Sequence, residues 1–352
     1  MTTLKENHRP ECNNLNLIRM IAALAVLVSH AWPITRGPGT PEPLQQLTGY
    51  SLGTLAVMVF FGLSGFLLTI SLQRDAAPIR FLQRRLLRLW PGLFASLALV
   101  ALVLGPMTTT LGFADYFGAG ATWRFVGQNL VFGPLVPTLP GVFQANPYTA
   151  IAGSIWTLKY EVACYLLLLL AAMGGTFRSG RWGDLVLVGL ATGWAALLWR
   201  EAWAPLHPHI ENLHLLSLPF AIGAALAAFA DRLPRSLEVA ALLLVATVCA
   251  RSTLLYEPLL ALTLVYTTLA LGLRRPGAFG IYNRFGDYSY GTYLYAFPLQ
   301  GLAVFVFGPQ TPWLNILIAF PATLVCAVLS WHLIEAPCLR WARRRRPATR
   351  LA

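Results

Sequence analysis

Apolar residues in this chain come in long blocks instead of alternating with a strand or surface-helix period. Ten blocks of about 20 residues stand out: 16–34, 51–72, 88–111, 154–174, 183–200, 213–230, 236–251, 254–273, 286–307 and 312–336. A block of that length crosses hydrocarbon as a helix, because only a helix satisfies its own backbone polar groups there. The expected fold is therefore all-α, a polytopic integral membrane helical bundle of about ten transmembrane helices. The block 236–251 is short and is expected to form a hairpin with its neighbour.

Composition agrees with this reading. Of 352 residues, 57% are hydrophobic and 11% charged, against about 25% charged in a soluble domain. The formal charge of +12 would point to nucleic acid in a soluble protein. Here its distribution along the chain decides. With the N-terminus in the cytoplasm, 21 of the 26 lysines and arginines fall on the cytoplasmic side, as retention of positive loops demands. Both termini are then cytoplasmic, and no nucleic-acid partner is needed. The first apolar run follows a polar stretch and lacks a small-residue cleavage site, so it reads as a retained signal anchor. The chain reads as one domain over 1–352, with spans over about 16–336 and a cytoplasmic basic tail at 337–352. Cys12, Cys164, Cys249, Cys326 and Cys338 form no CxxC pair and are expected as small buried hydrophobes. The outer segment 112–153 is too long for a connector and rich in aromatics, so a lid or binding surface is expected there.

Ionisable residues inside spans are candidates for function, since lipid disfavours them. Arg19 and His30 are 11 positions apart, about 20° from three whole turns and about 16 Å along the axis. One polar stripe thus joins an inner cation to an imidazole in the outer third of the first span. Arg80, Arg84, Arg85 and Arg88 lead into the third span at helical spacing. Guanidinium groups so placed bind phosphate oxygens bidentately, or anchor the helix to anionic headgroups. Glu161 lies in the fourth span about 10 Å below the outer surface, and His30 at about 6 Å. These depths are compatible with a His–Glu contact, while Lys159 is an alternative neighbour for Glu161.

Weaker features carry less. Gly49-Tyr50-Ser51-Leu52-Gly53 matches G-x-S-x-G without the strand-to-helix context that gives that motif meaning. Gly62, Ser64 and Gly65 read as small residues for close helix packing. His207, His209, Glu211 and His214 crowd one loop, which reads as solvated or acceptor-binding, and no metal site is assigned. His332 and Glu335, at i and i+3, are expected to satisfy each other.

The run NLNLIRMIAALAVLVSHAWP, then VFFGLSGFLLT, IRFLQRRLLRLWP, IWTLKYEVACYLLLL, FGDYSYGTYLYAFPL and LIEAPCLRWARR, resembles the integral-membrane acyltransferase 3 family in order and spacing over nearly the whole chain. Arg19 and His30 match its R-x10-H pattern, Arg85 and Arg88 its R-x-x-R pattern, and Trp156, Thr157, Leu158 and Glu161 its W-[ST]-L-x-x-E pattern. The chain departs from the family at Asn16 and Met58, where acidic residues are frequent, and at Ala296, where histidine is common. No SGNH-type domain is expected after the last span.

The resemblance implies transfer of an acyl group, most often acetyl, from cytoplasmic acyl-CoA (acetyl-CoA) to a hydroxyl of a carbohydrate or lipid-linked glycan such as O-antigen or exopolysaccharide. It also implies a bacterial inner membrane. On that reading Arg85 and Arg88, helped by Arg19, hold the donor's phosphates. His30 acts as general base, and Glu161 orients the imidazole or binds the acceptor; an acyl-histidine intermediate is the other route. Membrane lipids are the remaining partners. A competing reading, a transporter or flippase for a glycan or lipid-linked sugar, fits the same spans and intramembrane charges. A nonenzymatic scaffold for polysaccharide assembly is the third.

Overall fold

A computed structural model describes residues 3–5, 13–75, 77–174, 189, 193, 207–275 and 277–344. Its long helices are α1 (Leu15–Arg36), α2 (Leu52–Arg74), α3 (Pro78–Thr108), α4 (Ser154–Met173), α5 (Pro208–Ala228), α6 (Leu237–Cys249), α7 (Tyr256–Gly272), α8 (Ser289–Phe307) and α9 (Pro312–Ala342). Among the described residues there is no strand, only two isolated bridges. Six of these helices, α1 to α5 and α9, are long and apolar enough to cross a membrane. Helices α6 and α7 are shorter apolar helices of 13 and 17 residues, and α8 has 19. The all-helical, multi-pass expectation is met, and the block 183–200, apart from 189 and 193, lies outside the described residues.

Local sequence explains where helices start. Pro208 and Pro312 occupy first-turn positions, where a missing N–H is harmless. His207, Ser236 and Thr311 cap the following helices through side-chain acceptors. The Glu42 carboxylate accepts the Leu52 N–H at the start of α2. The G-x-S-x-G match therefore sits at a helix entry, and Gly49 is the left-handed cap of the short helix Pro43–Thr48.

Helices α3 and α9 each contain a π turn, at Val100–Leu104 and Trp331–Glu335. Each turn stops one residue short of a proline, at Gly105-Pro106 and Ala336-Pro337. In an α-helix a proline ring collides with the carbonyl four residues back. Widening the turn relieves that collision. The Gly105 N–H then reaches Val100 O instead of Ala101 O. At π spacing Ala101 O would face Pro106, which has no N–H. The Tyr116 hydroxyl fills the gap, donating to Ala101 O at 2.9 Å.

The chain forms two compact units. The first comprises the described parts of Met1–Ala22, Thr54–Pro78 and Tyr160–Phe285. Its core gathers Met58, Phe66, Ala261, Val265 and Leu269, all nearly or fully buried. Small residues let backbones meet here. A Cβ on Gly65 would lie 1.9 Å from Phe220 O, and one on Gly223 would lie 2.0 Å from Gly62 O. The close-packing role expected of Gly62 and Gly65 is thus met between α2 and α5.

The second unit comprises the described parts of Ala23–Gly53, Ile79–Lys159 and Gly286–Ala352. The segment after α3 folds into two short helices, Phe113–Gly118 and Gly120–Leu130, followed by an irregular strap. Tyr116 and Phe143 are fully buried, and Asn146 Nδ2 donates to Gly301 O of α8 at 2.9 Å. The segment is a pinned cover over α3 and α8. Two of its non-glycine residues, Phe132 and Phe143, adopt positive φ of 57° and 54°. That backbone costs about 1–3 kcal/mol each, which the surrounding packing must offset.

Candidate active site

Two polar clusters lie within the second unit. The first surrounds Arg88. Its Nη1 meets Glu335 Oε2 at 2.8 Å and its Nη2 meets Asp287 Oδ2 at 2.6 Å. The guanidinium also lies 5.5 Å from the Tyr290 ring and 5.7 Å from the Trp331 ring, within cation–π range. Each acid is itself supported: Ser330 Oγ donates to Glu335 Oε1 at 3.0 Å, and Ser289 Oγ donates to Asp287 Oδ1. Glu335 and Asp287 are almost completely buried. Gly286 is required here, because its φ is 141° and a Cβ would lie 2.3 Å from Trp331 Nε1.

This cluster changes two expectations. Arg88 was expected to hold donor phosphate, yet both its terminal nitrogens are engaged by carboxylates. His332 and Glu335 do not satisfy each other. His332 Nε2 pairs with Tyr288 OH at 3.0 Å, and Glu335 faces Arg88. The reason is the π turn, in which i and i+3 no longer share a face; Pro337 is the signal that announces it. Asp287 was missed, although it stands next to the Gly286 turn in FGDYSYG.

The second cluster surrounds His30 on α1. Its ring packs edge-on against Phe297, with centroids 5.0 Å apart and planes at 78°. Among the described residues its buried Nδ1 has no hydrogen-bond partner. Phe297 is held in turn by Tyr148 at 5.8 Å and by the open Cα face of Gly153, where a Cβ would approach within 2.4 Å of the ring. The following turn is fastened to α8: Tyr293 OH donates to Ser154 O, and Thr157 Oγ1 meets Tyr293 OH at 2.6 Å. That bond gives Thr157 of the W-T-L run a structural task. Ala296 is fully buried, so α8 presents no side-chain polar atom at that position.

The remaining expected residues are spread over both units. Glu161 belongs to the first unit, where its carboxylate accepts from Tyr165 OH. Arg19 lies half-buried in the first-unit part of α1. Arg85 is half-buried in α3, near Arg84, whose Nε donates to Arg80 O at 3.1 Å. Two histidines of the 207–214 stretch touch, the His207 and His209 rings lying 5.1 Å apart. His207 caps α5, His209 Nδ1 meets Tyr160 OH at 3.2 Å, and His214 Nδ1 lies 3.6 Å from Glu257. Of the cysteines only Cys164 is buried; Cys326 and Cys338 are half-buried and Cys249 is exposed, all four free. A thiol is apolar enough to lie on a lipid-facing surface, which corrects the expectation of uniform burial. Cys12 lies outside the described residues.

A small surface recess of about 10 Å³ lies beside the cover, lined by Asn129, Phe132, Gly133, Leu135, Ile155, Trp156 and Lys159. Strained Phe132 and Trp156 give it two aromatic walls, and Lys159 a cation.

An apolar helical chain with an open imidazole and buried ion pairs defines a multi-pass membrane protein with a polar interior site. The Acyltransferase domain family matches residues 13–332, and the chain belongs to that family. It is an O-acyltransferase. The chain is similar to the O-acetyl transferase of Shigella phage Sf6, 27% identical over 346 residues, covering 93% of this chain and 96% of the relative. It is also similar to Nodulation protein 10 of Rhizobium leguminosarum bv. viciae, 32% identical over 164 residues, covering 44% of this chain and 43% of the relative. No solved structure matches significantly.

Proposed function

We propose that this chain works in a bacterial inner membrane and transfers an acyl group, acetyl in the first instance, from cytoplasmic acyl-CoA to a hydroxyl of a carbohydrate or lipid-linked glycan. Its spans number about ten, with both termini cytoplasmic. The observation that carries the proposal is the half-buried His30 imidazole, fixed edge-on to Phe297 with its buried Nδ1 left open. A neutral imidazole takes the proton of the attacking hydroxyl. The hydroxyl oxygen bonds to the acyl carbon, the carbon–sulfur bond breaks, and the proton passes from His30 to the departing thiolate, giving free CoA. The relative named O-acetyl transferase supports acetyl as the group moved.

Arg85 is proposed to hold donor phosphate on the cytoplasmic side, a role for which guanidinium geometry is suited. The phosphate role of Arg88 rests on its place in the R-x-x-R pattern beside Arg85, and its terminal nitrogens also tie α3 to Asp287 and Glu335. Phosphate binding by Arg19 and imidazole orientation or acceptor binding by Glu161 rest on their places in the R-x10-H and W-[ST]-L-x-x-E patterns.

The test is incubation of purified protein with radiolabelled acetyl-CoA and a crude preparation of envelope glycans, comparing wild type with His30→Ala. Label in glycan only with wild type supports His30 as base. Label retained on the protein indicates a covalent intermediate. Wild-type transfer by a folded His30→Ala variant sinks the role of His30. No turnover by folded wild type sinks the transfer reaction.

A further inference from the structure

The face of α8 opposite the His30 turn is a stripe of Tyr293, Phe297, Gln300 and Val304, spaced by four, three and four positions. On α1 the matching stripe is Leu27, His30 and Ile34. Three contacts join them: Phe297 packs on His30, Ile34 clusters with Phe297 and Val304, and Gln300 Nε2 donates to Leu27 O at 2.9 Å. A helical carbonyl points along the axis toward the residue four positions on, so Leu27 O lies level with the His30–Ala31 backbone. The Gln300 carboxamide is therefore seated beside the turn that carries the imidazole.

Gln300 is fully buried. Its amide orientation follows from its bond to Leu27 O, since only the NH2 end donates. Its Oε1 must then face elsewhere, and among the described residues it meets no donor. The neighbouring Asn315 likewise has a bare Oδ1, while the remaining amide groups join helices. Asn315 Nδ2 donates to Gln300 O at 3.0 Å and to Gln310 Oε1 at 3.1 Å, and Gln310 Nε2 donates to Ala303 O at 2.7 Å. Polar side chains do join helices in membranes, and the Nε2 bond to α1 fits that task. What sets the bare Oε1 apart from the bare Oδ1 of Asn315 is its place, on a side chain seated against the turn of α1 that carries the imidazole. Two buried polar atoms without partners, His30 Nδ1 and Gln300 Oε1, thus flank the same stretch of α1.

We propose that Gln300 is a substrate-binding residue of the transfer site, its Oε1 accepting a hydrogen bond from an N–H or O–H of a substrate held against His30. The inference rests on the acyl-transfer reading above and adds a binding group to it. An acyl-CoA donor offers such a hydrogen on the amides of its pantetheine arm. The acceptor offers one on a hydroxyl beside the one acylated. In either case Gln300 orients the reacting pair and takes no proton itself.

The experiment compares wild type with Gln300→Met, which matches the length and removes the acceptor, and with Gln300→Glu, which keeps an acceptor oxygen. Binding of radiolabelled acetyl-CoA by equilibrium dialysis gives the donor arm. The envelope-glycan concentration that half-saturates transfer gives the acceptor arm. A thermal melt in detergent monitors folding. The expected result for Gln300→Met is a rise of about fivefold or more in one of the two constants with a melt close to wild type, and the constant that moves names the substrate. Gln300→Glu is expected to fall between Met and wild type. Unchanged constants in folded Gln300→Met would overturn the proposal, since solvent then satisfies Oε1. If Gln300→Met fails to fold, the Glu variant decides by the same constants, its own shift in one constant supporting the role and wild-type values overturning it. Failure of wild type to transfer acetyl would count against the activity alone, and the dialysis arm would still judge Gln300 as a donor ligand.

Discussion

The Arg88 and His30 clusters share one unit and a similar degree of burial, yet they treat polar atoms in opposite ways. Around Arg88 both terminal nitrogens, both acids and the hydroxyls of Ser289 and Ser330 are matched. Around His30, Nδ1 and the nearby Gln300 Oε1 are left open. An unmet buried acceptor or donor costs about 1–3 kcal/mol, so a fold keeps one where something else supplies the partner. The matched cluster reads as architecture, and on the proposal above the open one is where the substrate would bind.

Breaking the matched cluster should have the largest effect. Arg88→Ala leaves Glu335 and Asp287 buried without their cation, an expected loss of about 3–5 kcal/mol, read as a collapsed melt or aggregation in detergent. A triple variant, Arg88→Met with Asp287→Asn and Glu335→Gln, removes all three charges together. It should recover most of that stability. Equal damage from both would mean that Arg88 has another essential partner.

His30→Ala probes the open cluster. Turnover should fall by about 10²–10⁴ with little change in the melt, the reverse of Arg88→Ala. A large loss of stability instead would place His30 on the architectural side. Gly153→Ala sharpens the contrast, because its Cβ would press on Phe297 and tilt the surface that seats the imidazole. Turnover about tenfold lower, with a destabilisation of about 1–3 kcal/mol, is expected.

The smallest effect belongs to the cover. Tyr116→Phe removes the hydroxyl from Ala101 O and should cost about 1–3 kcal/mol, with transfer almost intact. Burial pushes the Tyr116 phenol from 10.0 up to about 12. A folded value above the unfolded one favours the neutral form, so this contribution is complete below pH 10 and is lost as pH rises toward about 12. Tyr116→Phe should flatten that alkaline limb in a melt-versus-pH series.

The fold was largely legible because lipid demands long apolar blocks, and helices cover the nine that fall among the described residues. Sequence reasoning also singled out His30, since an imidazole in a span stands out from its background. It gave Arg88 a phosphate and missed its carboxylate partners, because Asp287 and Glu335 are 199 and 247 positions away. It paired His332 with Glu335 because helical spacing was taken as uniform. Gln300 escaped notice because a neutral amide carries no charge to flag, and its meaning lies in which of its two atoms is bonded.

The π turn in α9 is also one residue of surplus length inside a continuous helix. That makes the stretch sensitive to phase. Removing a single residue between Trp331 and Glu335 would restore even winding and still leave an uninterrupted hydrophobic span, but the Pro337 ring would then meet the carbonyl four positions back. The turn that carries Glu335 to Arg88 would be lost with the surplus residue. The same deletion in an exposed connector would be absorbed. Here Pro337 sets the frame in which the end of the chain is read, much as an inserted letter does in a text.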